Sequence, residues 1–145
     1  MRTRLMPYVS LLTAATLAAT ACGPKQARGG TAVKVSQIEL GRSLKPDLKI
    51  EDKTSTFRPT DVIYASIETK GNSAATLQTR WTFGDDKDHQ QVVNESTRTI
   101  SPNGDEPVRT EFHISKPDGF PEGKYHLVVT INGAEGGTKD FEVKR

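Results

Sequence analysis

Residues 124–133 read Lys124-Tyr125-His126-Leu127-Val128-Val129-Thr130-Ile131-Asn132-Gly133, and this stretch decides the fold. Tyr125, Leu127, Val129 and Ile131 fall at every second position, the period of a strand with one buried face. Asn132-Gly133 then supplies two residues that tolerate positive φ, which predicts a tight hairpin. Phe141 and Val143 mark the returning strand. Upstream, Leu77, Thr79, Trp81 and Phe83 alternate with polar residues, and Val108, Thr110, Phe112 and Ile114 do the same. Asp61–Thr69 is β-branched and apolar on both phases at its centre, as a strand inside a sheet can be. Val33 and Val35, then Ile38 and Leu40, alternate with a phase slip that predicts a bulge. Gln91–Ile100 holds one or two strands, and Leu48 with Ile50 suggests a short strand within the irregular stretch 41–59.

No segment of ten residues outside the N-terminus carries a helical period. Short strands separated by Gly, Pro and Asp turns predict an all-β fold. The expected form is an antiparallel β-sandwich of about seven to eight strands over residues 32–145. The 145-residue chain is one domain's worth, and its single cysteine excludes an intramolecular disulfide and a four-cysteine metal site.

The N-terminus is built differently. Arg2 and Arg4 precede an uncharged run from Leu5 to Ala21, diluted by Pro7 and several Ser and Thr. That run is at the short limit for spanning hydrocarbon, so residues 1–21 are expected to be a cleaved export signal. Ala19-Thr20-Ala21 places small residues before Cys22, with Gly23 after it. This small-residue–Cys–Gly pattern resembles the lipobox of bacterial lipoproteins. The resemblance implies cleavage between Ala21 and Cys22 and attachment of membrane lipid through the Cys22 thiol and amine. Ala19 departs from the family's usual Leu, and ordinary signal-peptidase cleavage at the same Ala21 would leave Cys22 unmodified. Gly23, where enteric lipoproteins retained in the inner membrane carry Asp, implies an outer-membrane protein facing the periplasm. Residues 22–31 would be the lipidated Cys and a Gly-rich tether, with a reach of roughly 15–18 Å.

Losing residues 1–21 removes Arg2 and Arg4 and no acid, so 20 basic residues fall by two to 18 against 18 acidic ones. The mature chain is charge-balanced and carries no basic footprint for nucleic acid.

Pro121-Glu122-Gly123-Lys124-Tyr125 resembles the Pro-x-Gly-x-Tyr approach to the penultimate strand of many Ig-like bacterial domains. There the tyrosine hydroxyl bonds back to a nearby loop. Phe57-Arg58-Pro59-Thr60-Asp61 is similarly like the second-strand approach in uncharacterised Gram-negative envelope lipoproteins. These motifs imply a fold and bring no active-site residue with them.

Motifs of nucleotide-binding, serine-hydrolase and zinc-protease sites are missing from the sequence, so the domain is read as a non-enzyme without a cofactor. Asp85-Asp86-Lys87-Asp88-His89 is either a solvated hairpin tip or a cation site, and the spacing does not match a calcium loop. His113 and His126 fall on the phases opposite the core. Trp81 is read as a core residue. Phe120, between Gly119 and Pro121, either plugs one end of the sandwich or stands as an exposed anchor, and Tyr64 is the second candidate interaction residue. The leading expectation is a membrane-anchored lipoprotein whose Ig-like domain binds an envelope protein. The alternative is a carbohydrate- or peptidoglycan-binding module, which requires exposed coplanar aromatics from among Tyr64, Phe120 and Tyr125.

Overall fold

The computed structural model describes residues 31–145. The expected export signal, the Ala21–Cys22 cleavage site, lipidated Cys22 and nearly all of the tether lie outside the described residues. Eight strands follow in order: β1 (Lys34–Gly41), β2 (Thr56–Phe57), β3 (Ile63–Gly71), β4 (Ala75–Phe83), β5 (Gln91–Ile100), β6 (Gly104–Ile114), β7 (Gly123–Ile131) and β8 (Ala134–Val143). They form a three-stranded sheet, β1-β3-β6, and a five-stranded sheet, β2-β8-β7-β4-β5. Among the described residues there is no helix.

Alternation translates directly into layers. Tyr125, Leu127 and Val129 of β7 are fully buried and meet Leu77 and Trp81 of β4, while Ile63, Ala65 and Ile67 of β3 close the core from the other sheet. Phe141 is the aromatic hub, stacked on Tyr125 at 5.2 Å and edge-on to Phe57 and Trp81 at 5.6 and 5.8 Å. Such offset and edge arrangements add to the area each ring removes from water.

The phase slip in β1 is a register shift between Val35 and Gln37. The Ser36 hydroxyl there donates to both the backbone oxygen and the carboxylate of Glu68. Asn132-Gly133 makes the β7–β8 turn with φ of 50° and 82°. Two readings are corrected. Leu48 belongs to a turn, at φ 63°, and only an isolated Leu44–Ile50 bridge forms there. The sandwich is also not wholly antiparallel, because β2 runs parallel to β8. The chain reaches β2 from the lobe beside β1 and needs only two residues of pairing to seat Phe57 in the core.

Between β1 and β2, residues 42–55 fold back as a lobe on β1. Ile50 is 3 % exposed yet stands apart from the main core. Arg42 ties the lobe down: its Nε donates to Asp61 Oδ2 at 2.8 Å, its Nη2 to the Thr56 carbonyl at 2.7 Å, and its Nη1 to Asp52 at 3.2 Å. Burial pushes the Asp61 carboxyl up, but the Arg58 amide and the Arg42 guanidinium outweigh it and hold the group below the ordinary carboxylate range. A lowered folded-state value means that this stabilisation is complete above the unfolded carboxylate range and is lost as pH falls through the lowered value. Asp61→Ala is therefore expected to destabilise the domain by about 1.5–3 kcal/mol at pH 7, the range for hydrogen bonds to a charged group. The deficit should shrink at pH 2, as read from urea midpoints at both pH values.

Candidate binding cleft

The sandwich has two ends. At one, Thr31 leads the chain into the domain and its carbonyl accepts the Asn72 amide at 3.0 Å, beside the β3–β4 turn. At the other lie the β4–β5 and β6–β7 connections. Gly119 donates to the Lys116 carbonyl there, and Phe120 donates its amide to the Pro59 carbonyl at 2.7 Å. These bonds fold the β6–β7 connection under the sheets, and Tyr125 locks it by donating from its hydroxyl to the Pro121 carbonyl at 2.7 Å. The Phe83 ring comes within 2.9 Å of where a Cβ on Gly123 would stand, which is why glycine occupies that place before Tyr125. Tyr125→Phe removes one hydrogen bond and should lower stability by about 1 kcal/mol in urea unfolding, with no change of fold.

Beside this end, between β5 and β6, a cleft of about 490 Å³ opens on the flank of the sandwich. Phe83, Ile114, Phe120 and Tyr125 line it from within, and Val92 and Val93 from the rim. Val92 and Val93 are 43 % and 37 % exposed, and Leu48 is the only other large hydrophobic so exposed among the described residues. Adjacent residues of a regular strand face opposite ways. A register shift between Trp81 and Thr82 leaves Val93 unpaired across from β4, and this bulge lets Gln91, Val92, Val93 and Asn94 all border the cleft.

Lys116 and His113 are the charged or protonatable groups at the mouth. Lys116 Nζ is loosely held, 3.9 Å from Asp118, and His113 Nδ1 lies 2.5 Å from Glu111. Burial pushes the Tyr125 hydroxyl up to about 12, so at neutral pH it serves as a donor and not as a base. The arrangement suits an apolar group with a polar or anionic end.

The residues expected from the sequence distribute as follows. Of the two readings of Phe120, the structure shows the plug and corrects the exposed anchor: the residue is 4 % exposed, edge-on to Tyr125 at 6.1 Å, and its amide is bonded to the Pro59 carbonyl. Its ring forms cleft floor. Tyr64 is half-buried on the outer face of the three-stranded sheet, tilted against His113 with centroids 5.5 Å apart. Trp81 is fully buried. In the acidic turn, Asp86 accepts from the Asp88 amide and contacts His89 Nδ1 at 2.7 Å, while Asp85 pairs with Lys124. His126 bridges Asp140 at 2.6 Å and the Gly84 carbonyl at 3.0 Å, outside the cleft. Val92, Val93 and Lys116 were not singled out by the sequence. The available signal was the pair of adjacent valines in an otherwise polar strand.

A larger hollow, about 630 Å³, runs along the other flank between β1 and β8. Of its charged groups, Glu39 bonds Lys53 and Asp140 holds His126, while Lys139 makes no ion pair among the described residues.

No protein-family profile matches the chain. No curated protein sequence matches it either. Solved structures do share its fold. It is similar to part of the Pseudomonas fluorescens alkylpurine DNA glycosylase AlkC bound to abasic-site DNA, at 15% identity and a TM-score of 0.50 over 78% of this chain and 30% of that one. It is also similar to part of a Paenibacillus cycloisomaltooligosaccharide glucanotransferase, at 16% identity and 0.50, over 77% of this chain and 14% of that one. An immunoglobulin-like protein from Pseudomonas aeruginosa aligns at 15% identity and 0.48, over 78% and 97%. The chain thus spans under a third of the first two proteins, and likeness at this identity concerns the fold alone. With two sheets of strands and no helix among the described residues, the domain is a β-sandwich.

Proposed function

We propose that the protein is a lipid-anchored bacterial envelope protein whose immunoglobulin-like domain works by binding another envelope protein rather than by catalysis. The observation that carries the anchor is Cys22, the one cysteine of the chain, set directly after Ala19-Thr20-Ala21. Each buried methylene of an attached chain contributes about 0.8 kcal/mol, so two or three acyl chains would hold the protein on the membrane durably. Gly23 favours the outer membrane, facing the periplasm. The cleft supports binding: it is a concavity in which apolar Phe83, Val92, Val93, Ile114 and Phe120 share the lining with polar Gln91, Asn94, His113, Ser115 and Lys116. It opens on the flank, beside the end of the sandwich away from Thr31, so on a short tether it would stand off from the anchoring membrane.

The carbohydrate-binding alternative gains little support. Phe120 and Tyr125 are buried, leaving Tyr64 as the one half-exposed ring of the three that could form a stacking platform.

Membrane fractionation of the wild type and Cys22→Ser, with mass analysis of the mature N-terminus, tests the anchor. The wild type should sediment with membranes and carry acyl mass on Cys22, and Cys22→Ser should lose both. A wild-type N-terminus without acyl mass, or a processed Cys22→Ser chain that stays membrane-bound, overturns it.

A further inference from the structure

We propose that β5 and the cleft beneath it form a strand-addition site, which takes an extended segment of a partner protein carrying an apolar side chain and a carboxylate. The proposal deepens the reading of the domain as a binding module.

The backbone argument comes first. β5 is the outer strand of its sheet and is bonded on one side to β4. Among the described residues nothing pairs its other side, and of Gln91–Ile100 only Ile100 is buried. An exposed strand edge offers a row of unused N–H and C=O groups to any extended chain, and folds usually block it with proline, bulges or covering segments. Each of the other edges carries at least one such device or is very short. β6 carries Pro107, which lacks a donor. β1 is bulged at Ser36 and bridged by the lobe between Gly41 and Lys53. β2 is two residues long. β5 carries no proline and, among the described residues, no covering segment; its one bulge, at Val93, lies near its start, where the two exposed valines sit, and leaves Asn94–Ile100 in regular register with β4.

The cleft supplies what a bare edge lacks. An added strand meets the β5 backbone and turns alternate side chains toward the sandwich flank. The bulge at Val93 brings the rim valines to the place where such a side chain would descend onto Ile114 and Phe120. Specificity for charge follows from the lining, which includes Lys116 and His113 and no carboxylate. Glu111 already occupies His113, so the loosely held Lys116 is the group left to receive a partner's carboxylate.

The test is selection of random extended peptides of about ten residues, displayed on phage, against the full chain purified in detergent. Enriched peptides should alternate apolar residues and carry an acid, and their binding should slow amide exchange along residues 91–100. Val92→Ser and Val93→Ser should each weaken a selected peptide about tenfold, the order expected for losing one buried aliphatic contact. Both side chains are exposed, so neither change threatens the fold. Lys116→Glu should turn the preference from acidic to basic peptides. Selection of no peptide, or of peptides indifferent to all three substitutions, overturns the proposal. So does a dimer of the chain that protects the β5 amides and is lost in Val92→Ser. The readout is the domain's own binding, so an unanchored chain leaves this site standing, while an anchored chain that selects nothing removes it.

Discussion

Trp81→Ala is expected to destabilise the domain by about 3–5 kcal/mol, the range for truncating a large buried aromatic, against a total of about 5–15 kcal/mol for an ordinary domain. The indole is fully buried in the middle of β4, between β5 and β7, and packs edge-on against Phe141. Its removal leaves a void that strand backbones pinned on both sides cannot close. The control is Trp81→Phe. Trp81 Nε1 is buried without a hydrogen-bond partner, so phenylalanine forfeits no bond and restores most of the contact area. It should cost about 1–2 kcal/mol, clearly less than the alanine change. Urea unfolding followed by circular dichroism measures both, since the substitutions remove the chain's one tryptophan fluorophore. Equal midpoints for Trp81→Ala and wild type would refute the placement of this ring.

The second large effect is local. Gly41→Ala should release the 42–55 lobe from β1, because the new Cβ would stand 2.2 Å from both the Asp52 carbonyl oxygen and Ile50 Cγ2. Real carbon atoms do not approach so closely, and the Asp52 contact is backbone, which no rotamer change relieves. Lifting the lobe loses the Arg42 amide to Asp52 carbonyl bond of 3.0 Å and exposes Ile50. One buried aliphatic side chain and one or two hydrogen bonds amount to about 3 kcal/mol. Hydrogen exchange should therefore accelerate across residues 42–54 while the amides of β4 and β7 stay protected. Unchanged protection in the lobe would show that Gly41 has more room than the packing indicates.

Much of the fold is legible from residue order because period two is a local property. The alternation of Tyr125, Leu127, Val129 and Ile131 survives intact as the buried face of β7, and Asn132-Gly133 makes the predicted turn. The β1 phase slip is legible for the same reason, since a bulge shifts the pattern where it occurs. The lobe is not. Ile50 is buried because Gly41 leaves space above β1, a relation between residues nine positions apart with no periodic trace. The cleft is not legible either. Between Gly119 and Pro121 the sequence leaves Phe120 as either a plug or an exposed anchor, and the bond from its amide to the Pro59 carbonyl is what the fold adds.

The amino-acid sequence alone determined most of the long strands, the inward faces of β4 and β7, and the placement of the one cysteine behind a run of small residues. These depend on neighbours along the chain. The tertiary structure decided which strands stand at the edges of the sheets. Pro107 and the bulge at Ser36 acquire meaning only once β6 and β1 prove to be outer strands, and Val92 and Val93 only once β5 proves to lack a second neighbour. An edge is defined by the absence of a partner in space, and spacing along a chain does not encode it.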